Sequence, residues 1–503
     1  MSKARREWLV PQMNHKKGGS LSRLALGWLL VVLLASGCAV GPNFVPPRAQ
    51  VPETWNAQEV AGQAQDSKTT TDPAQLTGWW RTFRDPTLTS LVETALSTNL
   101  DLRQAQARIR QARAVRGIAG SGLWPQVNAQ AFFERSSSAS ATLTSSGPVV
   151  ASGPAFRDLF QVGLDASWEL DIFGGTRREL EAASAELQAA VEDQRGVLVS
   201  LAGEVGTTYV SLRGLQQQLA IARQNLEVQE KTARIIRKRY EAGFASRLDV
   251  ENAEAQVKTT AAQVPVLEAN ARAAIYSLGV LLGQPPGTLE SVLRRAHPIP
   301  PTPPEIPVGL PSDLLRRRPD IRRAEAQLHA ATARIGVAVA DLFPRFFLTG
   351  RAGFAARDLS LLGSDKSRFW AFSPSVSWPI FAGGRIRWNI ELQNALQEQA
   401  FLTYQQTVLT ALKDVETALI SYAKEQEHRQ ALSEAVAHNR RAVDLAMKLY
   451  LAGKSDFLNV LTAQRTLFLN EEALAQSTRN LAVDLVALYK ALGGGWENVP
   501  PGS

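Results

Sequence analysis

The sequence predicts a mainly α-helical chain with a small β part that meets a membrane. The expected fold class is a long α-helical coiled-coil barrel plus four β-strands per chain, too few to close a β-barrel alone, so that several chains would share one and three would complete a twelve-stranded β-barrel. Three observations predict it. Two proline-free stretches, Thr176 to Ala242 and Arg385 to Ala452, carry apolar residues at helical spacing over far more than an ordinary helix length. Two shorter stretches, Phe160 to Ile172 and Trp370 to Phe381, alternate apolar and polar residues as one-sided strands do. The second half of the chain also echoes the first, so the sequence reads as two internal repeats.

The N-terminal element holds Lys16, Lys17 and Arg23, an apolar run from Leu24 to Ala35, then Ser36, Gly37 and Cys38. A basic region, about a dozen apolar residues and a small-residue exit form the layout of a secretory signal, and the run falls short of the roughly 20 residues of a spanning helix. Residues 1–37 are expected to be removed. Met13 to Cys38 is a complete signal by itself, which makes Met13 an alternative start to Met1. Cys38 is the only cysteine, so it forms no internal disulfide, and beside a cleavage site its thiol becomes a new N-terminus free to carry lipid. The alternative is a small buried cysteine behind an uncleaved anchor. Leu34-Ala35-Ser36-Gly37-Cys38 resembles a bacterial lipoprotein box, with Ala35 standing where that box usually has leucine. The resemblance implies S-diacylglycerol and N-palmitoyl groups on Cys38. Ala39, in place of an aspartate, implies sorting to the outer membrane.

The formal charge of +8 is concentrated in the leader, where Lys3, Arg5, Arg6, Lys16, Lys17 and Arg23 face only Glu7. From Cys38 onward the excess is +3, too small to argue for a nucleic acid or another polyanion as partner. An apolar content of 45% excludes general disorder. No segment beyond the leader has the roughly 18 uninterrupted apolar residues of a membrane helix, so further bilayer contact must come from strands or lipid.

The repeats are read from local echoes. Leu123-Trp124-Pro125-Gln126 returns as Leu342-Phe343-Pro344-Arg345, and Asp171-Ile172-Phe173-Gly174-Gly175 as Pro379-Ile380-Phe381-Ala382-Gly383-Gly384. Tyr240-Glu241-Ala242-Gly243 returns as Tyr450-Leu451-Ala452-Gly453, and Leu282-Gly283 as Leu492-Gly493. The separation shortens mainly after the prolines, where the first half carries Ser136 to Pro154, a Ser/Ala/Gly-rich segment that reads as a long exposed loop. Nine prolines between Pro285 and Pro311 preclude a continuous helix and suggest an extended connector. The domains so read are an extended tether at 38–78, a first repeat at 79–284, the linker at 285–311, a second repeat at 312–495 and a tail at 496–503.

In the first repeat Phe160, Val162, Leu164, Ala166, Trp168, Leu170 and Ile172 alternate with polar residues or glycine. Trp370, Phe372, Pro374, Val376, Trp378 and Ile380 do the same in the second. Less regular strands precede them at 126–135 and 345–354, where Phe132 and Phe347 break the alternation. Such strands suit a membrane barrel, or equally a half-buried soluble sheet. Four strands cannot close a barrel, since barrels begin near 8 strands, so in the membrane reading several chains share one. Three copies give twelve.

The helical stretches 176–242 and 385–452 would each reach about 100 Å at 1.5 Å per residue. Leu198, Leu201, Val205, Tyr209, Leu212 and Leu219 recur at spacings of three, four or seven, as do Tyr404, Val408, Leu412, Val415, Leu419 and Tyr422. After turns at Gly243 and Gly453, helices of roughly 35 residues run back over 248–282 and 457–492. Alanine and glutamine at the remaining positions allow close helix contact, and a barrel at one end of a helical cylinder makes a hollow conduit.

Cys-Ala-Val-Gly-Pro at 38–42, Trp79-Trp80 with Phe83 and Asp85-Pro86, Asp171-Ile172-Phe173-Gly174-Gly175, Arg318-Pro319-Asp320-Ile321, Pro379-Ile380-Phe381 and Ala463-Gln464-Arg465 recur in this order over more than four hundred residues. With them the chain resembles the TolC-like outer-membrane factors, specifically the lipoprotein branch of RND efflux outlets called the NodT type. The resemblance implies a homotrimer with its barrel in the outer membrane and a periplasmic helical tunnel that closes at its far end. It implies a passive exit duct, not an enzyme, without cofactor, that docks through a periplasmic adaptor onto an inner-membrane RND-type pump. The tunnel would close where the hairpins turn, at Tyr240 to Asp249 and Tyr450 to Leu461. Family members often hold that aperture with an aspartate and an arginine. Arg465 matches the arginine and Thr462 occupies the aspartate position, so Asp456 or Asp249 would stand in. The aperture candidates are therefore Arg465, Thr462, Asp456, Leu458 and Asp249. Arg465 also fits an ordinary solvated helix residue, and the two aspartates fit helix N-terminal stabilisation.

Other chemistry finds no residues. His15, His297, His329, His428 and His438 have no metal-site spacing, and no Gly-x-x-x-x-Gly-Lys-Ser/Thr loop occurs. The Gly-Gly pairs at 174 and 383 read as tight turns, and Trp79 and Trp80 as packing. Two rival functions stand beside the efflux outlet: the outlet of a type I protein secretion system, and a non-conducting structural periplasmic coiled-coil lipoprotein.

Overall fold

The structure, a computed structural model, describes residues 39–56, 68–70, 76–138, 141–142, 150–151, 155–303 and 305–497. The leader and Cys38 lie outside the described residues. In chain order, β1 (Lys68–Thr70) precedes a 3-10 turn at Trp79–Phe83 and the helices α1 (Pro86–Thr98) and α2 (Leu100–Ser121). Strands β2 (Gln126–Ser138), β3 (Ala141–Thr142), β4 (Val150–Ala151) and β5 (Ala155–Leu170) follow. They lead into α3 (Gly175–Glu241) and α4 (Arg247–Leu281), of 67 and 35 residues. Next come α5 (Glu290–Leu293), β6 (Glu305–Pro307), α6 (Leu314–Arg317), α7 (Pro319–Ala340), β7 (Arg345–Ala356) and β8 (Arg368–Ser377). The last two helices, α8 (Arg385–Leu451) and α9 (Phe457–Ala491), again have 67 and 35 residues. Among the described residues no helix is long and apolar enough to cross a membrane.

Contacts divide the chain into two compact units that cut across the two sequence halves, each unit taking segments from both. One comprises the described residues of 39–44, 115–184 and 330–397. It holds a four-stranded antiparallel sheet in the order β2-β5-β7-β8. Directly opposed residues share a face, so the register sorts the side chains. Val127, Ala129, Ala131 and Phe133 face Ala166, Leu164, Val162 and Phe160, and that row continues through Gly350, Ala352, Phe354 and Ala356 to Phe372 and Trp370. The opposite face carries Asn128, Gln130, Asp165, Ser167, Thr349, Arg351 and Ser373. Among the described residues nothing covers the apolar face, where Leu164 and Phe372 are exposed and Trp370 is 81% exposed. β2 and β8 are its two edges.

Several expected boundaries move. β5 ends at Leu170, not at 172, because the Asp171 carboxylate leaves the ladder to accept from the amides of Thr176 and Arg177 at 3.0 and 2.9 Å, capping α3. β8 covers Arg368–Ser377 instead of 370–381, because its partner β7 begins at Arg345, which opposes Ser377, and offers no ladder beyond it. β2 and β7 run on to Ser138 and Ala356, and β5 begins five residues early at Ala155. Within the expected loop Ser136 to Pro154, Ala141–Thr142 pairs with Val150–Ala151, so the hairpin is prolonged there. The linker at 285–311 is not uniformly extended either: it contains the single turn α5, and β6 pairs in parallel with β1.

The other unit comprises the described residues of 45–114, 185–329 and 398–497. Its core joins Trp79, Phe83, Leu88 and Val92 to Val205, Tyr209 and Leu212 of α3, Val415 and Leu419 of α8, and Leu485 and Tyr489 of α9. Trp79 stacks on Tyr489 with ring centroids 5.3 Å apart. Asp85 does two things: its Oδ1 accepts from the amides of Thr87 and Leu88 to cap α1, and its Oδ2 accepts from the Tyr209 hydroxyl at 2.7 Å. Trp79 and Trp80 are buried, as packing residues should be.

Candidate functional site

The two turns between long helices are built alike. Gly243 has φ 79° and Gly453 φ 70°, the left-handed conformation that only glycine adopts without strain. The amides of Phe244 and Gly243 return to the carbonyls of Arg239 and Tyr240, and those of Lys454 and Gly453 to Leu449 and Tyr450. Each pair satisfies two last-turn carbonyls and reverses the chain sharply. The helix starts differ. Ser246 and Asp249 form a reciprocal capping box at the start of α4, with bonds of 3.0 and 3.1 Å. Asp456 is the N-cap of α9 but its side chain makes no capping bond.

A small apolar cluster ties these ends together. Ile236 of α3, Ala253 of α4, Tyr450 of α8, and Phe457 and Val460 of α9 are all buried in it. The Arg239 guanidinium lies over the Tyr450 ring, 5.0 Å from its centroid, and Tyr450 packs on Phe457 at 5.6 Å. Burial pushes the Tyr450 phenol up; Arg239 opposes that shift and the Asp249 carboxylate adds to it. Polar links continue along the helices. Gln464 donates to Thr232 at 3.0 Å, and Glu471 accepts from Asn225 of α3 and from Arg440 of α8.

The predicted residues separate by face. Phe457, Val460, Gln464 and Phe468 form the buried stripe of α9, while Leu458, Thr462 and Arg465 fall on the exposed side at spacings of four and three. Among the described residues Arg465 has no hydrogen-bond or ion-pair partner, whereas Arg237, Arg440 and Lys448 are paired with Glu254, Glu471 and Asp444. Asp249 is committed to its capping box and faces the Tyr450 cluster; Asp456 is exposed and uncommitted. Sequence reasoning did not find Arg239, Tyr450 and Phe457 as a cluster, because nothing local joins positions so far apart. Among the described residues no group of three or more His, Cys, Asp or Glu side chains is placed to hold a metal.

Comparison with known proteins settles the family. The model of the outer membrane efflux protein family matches residues 91–284 and 310–494. The chain belongs to the outer membrane efflux protein family. Its relatives within that family include nodulation protein T of Rhizobium leguminosarum bv. viciae, 33% identical over 467 residues, with 92% of each chain covered. The toluene efflux pump outer membrane protein TtgF of Pseudomonas putida is 34% identical over 470 residues, covering 92% of this chain and 95% of TtgF. Among solved structures, the outer-membrane channel OprN superposes with a TM-score of 0.83 at 38% identity, covering 91% of this chain and all of OprN. The two segments matched to the outer membrane efflux protein model flank residues 285–309, the stretch that carries α5 and β6.

Proposed function

We propose that this outer membrane efflux protein is the outer-membrane channel of a tripartite efflux system, a passive trimeric conduit for small molecules. The observation that carries the reading is the sheet: four strands with one uncovered apolar face, one polar face and two free edges, on a chain otherwise made of very long helices. In lipid every backbone group must be paired, so the edges β2 and β8 call for identical neighbours, and three copies close twelve strands with the apolar face outward. The polar face then lines the pore, and α3, α4, α8 and α9 of three chains form a periplasmic tunnel.

The two sequence halves act as two copies of one unit in this reading. In support, Trp168 Nε1 donates to the Leu123 carbonyl and Trp378 Nε1 to the Leu342 carbonyl, each at 3.0 Å and at matching places in the two halves. The hairpin tips close the tunnel. Leu458, Thr462, Arg465 and Asp456 present an exposed stripe without internal partners, suited to contacts between protomers that are worth only ~0–1 kcal/mol each and so are cheap to break. Lipid on Cys38 anchors the chain in the outer membrane. A periplasmic adaptor and an inner-membrane RND-type pump dock at the tips, and the pump supplies the energy, so the conduit needs neither cofactor nor catalysis. The efflux-pump names of the relatives favour this over a type I secretion outlet, and the uncovered apolar sheet face favours it over a structural lipoprotein without a pore.

The test is mass and single-channel conductance of protein purified from outer membranes in mild detergent, wild type against Arg465→Ala. A trimer whose small resting conductance rises in the variant supports both the shared barrel and the aperture. A trimer with unchanged conductance keeps the conduit and moves the aperture off Arg465. A monomer that never conducts overturns the channel.

A further inference from the structure

At the junction of strands and helices the two halves of one chain meet through aromatic rings. Phe173, just past β5, stacks on Phe343, just before β7, with centroids 4.6 Å apart and planes inclined by 22°. Beside this stack Arg178 lies against Gly336, where an added Cβ would come within 2.8 Å of the Arg178 Cγ. The guanidinium of Arg178 is engaged by the Val40 and Gly41 carbonyls, the Asn43 side chain and Glu181.

Each member of this junction has a counterpart in the other half. Phe173 corresponds to Phe381 and Phe343 to Trp124 in the repeated motifs, and, counted from the starts of the equal-length helices, Gly336 of α7 corresponds to Gly117 of α2 and Arg178 of α3 to Trp388 of α8. The counterparts are vacant. Phe381 is 91% exposed, Trp388 74% and Trp124 73%, and nothing lies within 4 Å of a Cβ placed on Gly117. Large apolar side chains left in water at both free edges of the sheet mark surfaces that another molecule covers.

Strand order says which molecule. β5, the last strand of the first half, pairs with β7, the first large strand of the second, and Phe173 and Phe343 meet just beyond their ends. Phe381 lies just past β8 and Trp124 just before β2, the two strands with free edges. Gly117 lies on the 22-residue α2, which leads into β2, and Gly336 on the 22-residue α7, which leads into β7. Resting on the trimer reading above, we propose that Phe381 of each protomer stacks on Trp124 of the next copy and that Trp388 covers Gly117 of that copy. The junction within each chain is thereby reproduced at each subunit boundary. The exchange of Arg178 for Trp388 follows from the surroundings. Arg178 binds residues 40–43, and among the described residues no such segment lies beside Gly117, so in this reading an apolar ring fills the space over glycine instead.

Thiol cross-linking of the full-length protein in mild detergent tests this. The double variant Trp124→Cys/Phe381→Cys, treated with a short bismaleimide, is expected to give covalent dimers and trimers on a denaturing gel, while either single variant gives none. A protein that sizes as a trimer but yields no more cross-linking in the double variant than in the singles overturns the junction and leaves the conduit standing. A protein that sizes as a monomer overturns both. Should the double variant fail to assemble, a second pair decides. Gly117→Trp is expected to lower the temperature at which the trimer dissociates, and Gly117→Trp/Trp388→Gly to restore it. An unchanged dissociation temperature in Gly117→Trp overturns the proposal.

Discussion

Arg239 and Tyr450 join the two helix hairpins: the guanidinium at the end of α3 lies over the ring at the end of α8, 5.0 Å from its centroid. The pair closes a cluster with Ile236, Phe457 and Val460, which packs the two tips against each other. Tyr450→Ala removes the ring at a local cost of about 3 kcal/mol, comparable to other buried aromatic truncations. With the tips uncoupled, the resting single-channel conductance is expected to rise. Tyr450→Phe keeps the ring and is expected to match wild type. Equal conductance in wild type and Tyr450→Ala would remove this cluster from the closure.

Asp249 and Asp456 occupy similar places after the two turns but are bonded differently, which separates a structural carboxylate from a free one. Asp249→Ala breaks the capping box and is expected to cost about 1 kcal/mol, lowering the thermal midpoint. Asp456→Ala breaks no capping bond and should cost only a few tenths of a kcal/mol through the helix dipole. A larger midpoint shift in Asp456→Ala than in Asp249→Ala would contradict this assignment.

Much of the fold was readable because its signals are periodic. The 67-residue helices show uninterrupted helical spacing, and the strands alternate residue by residue. Pro265 did not stop α4, because it sits on the exposed side, where the one carbonyl it leaves without an intrahelical donor can meet water. The ends were less readable. Asp171 continues the alternation of β5 on paper, yet its carboxylate is better used capping α3. The β1–β6 pair joins segments more than two hundred residues apart, a pairing no local pattern encodes. At the tips, Leu458, Thr462 and Arg465 were reached only through the family resemblance, and the Arg239–Tyr450 contact depends on how α3 and α8 pack.

A half-buried carboxylate makes stability depend on pH. Burial, and after it the charge of Glu425, pushes Asp484 up from 3.8 to about 6. It lines a cavity of about 480 Å³ with Arg318, Lys413, Asp414 and Lys490. The native state therefore holds its proton more tightly than the unfolded chain, and between about pH 4 and pH 6 it carries the extra proton. Stability is greatest below that window and falls as pH rises through it. Asp484→Asn is expected to remove the fall: its thermal midpoint should equal the wild type near about pH 4 and exceed it at neutral pH. A midpoint gap that does not change with pH would assign the effect to packing instead.

The two faces of the sheet should respond oppositely to the same charge if it forms a barrel wall. Leu164 and Trp370 lie on the apolar face, Gln130 and Ser373 on the polar one; Gln130 neighbours the residue opposite Leu164 on the adjacent strand, and Trp370 and Ser373 share β8, so each comparison reverses the side. Leu164→Arg or Trp370→Arg would place a cation in hydrocarbon at a cost of about 2–4 kcal/mol near the midplane, and is expected to reduce the folded fraction in lipid vesicles. Gln130→Arg or Ser373→Arg should fold as well as wild type, because water fills the lumen, and should shift the single-channel ion selectivity toward anions. In a half-buried soluble sheet the apolar face would instead be covered by protein, and vesicle thickness or lipid composition would not alter the penalty. A penalty that is the same in vesicles and in detergent-free buffer, or equal on both faces, would therefore exclude the wall.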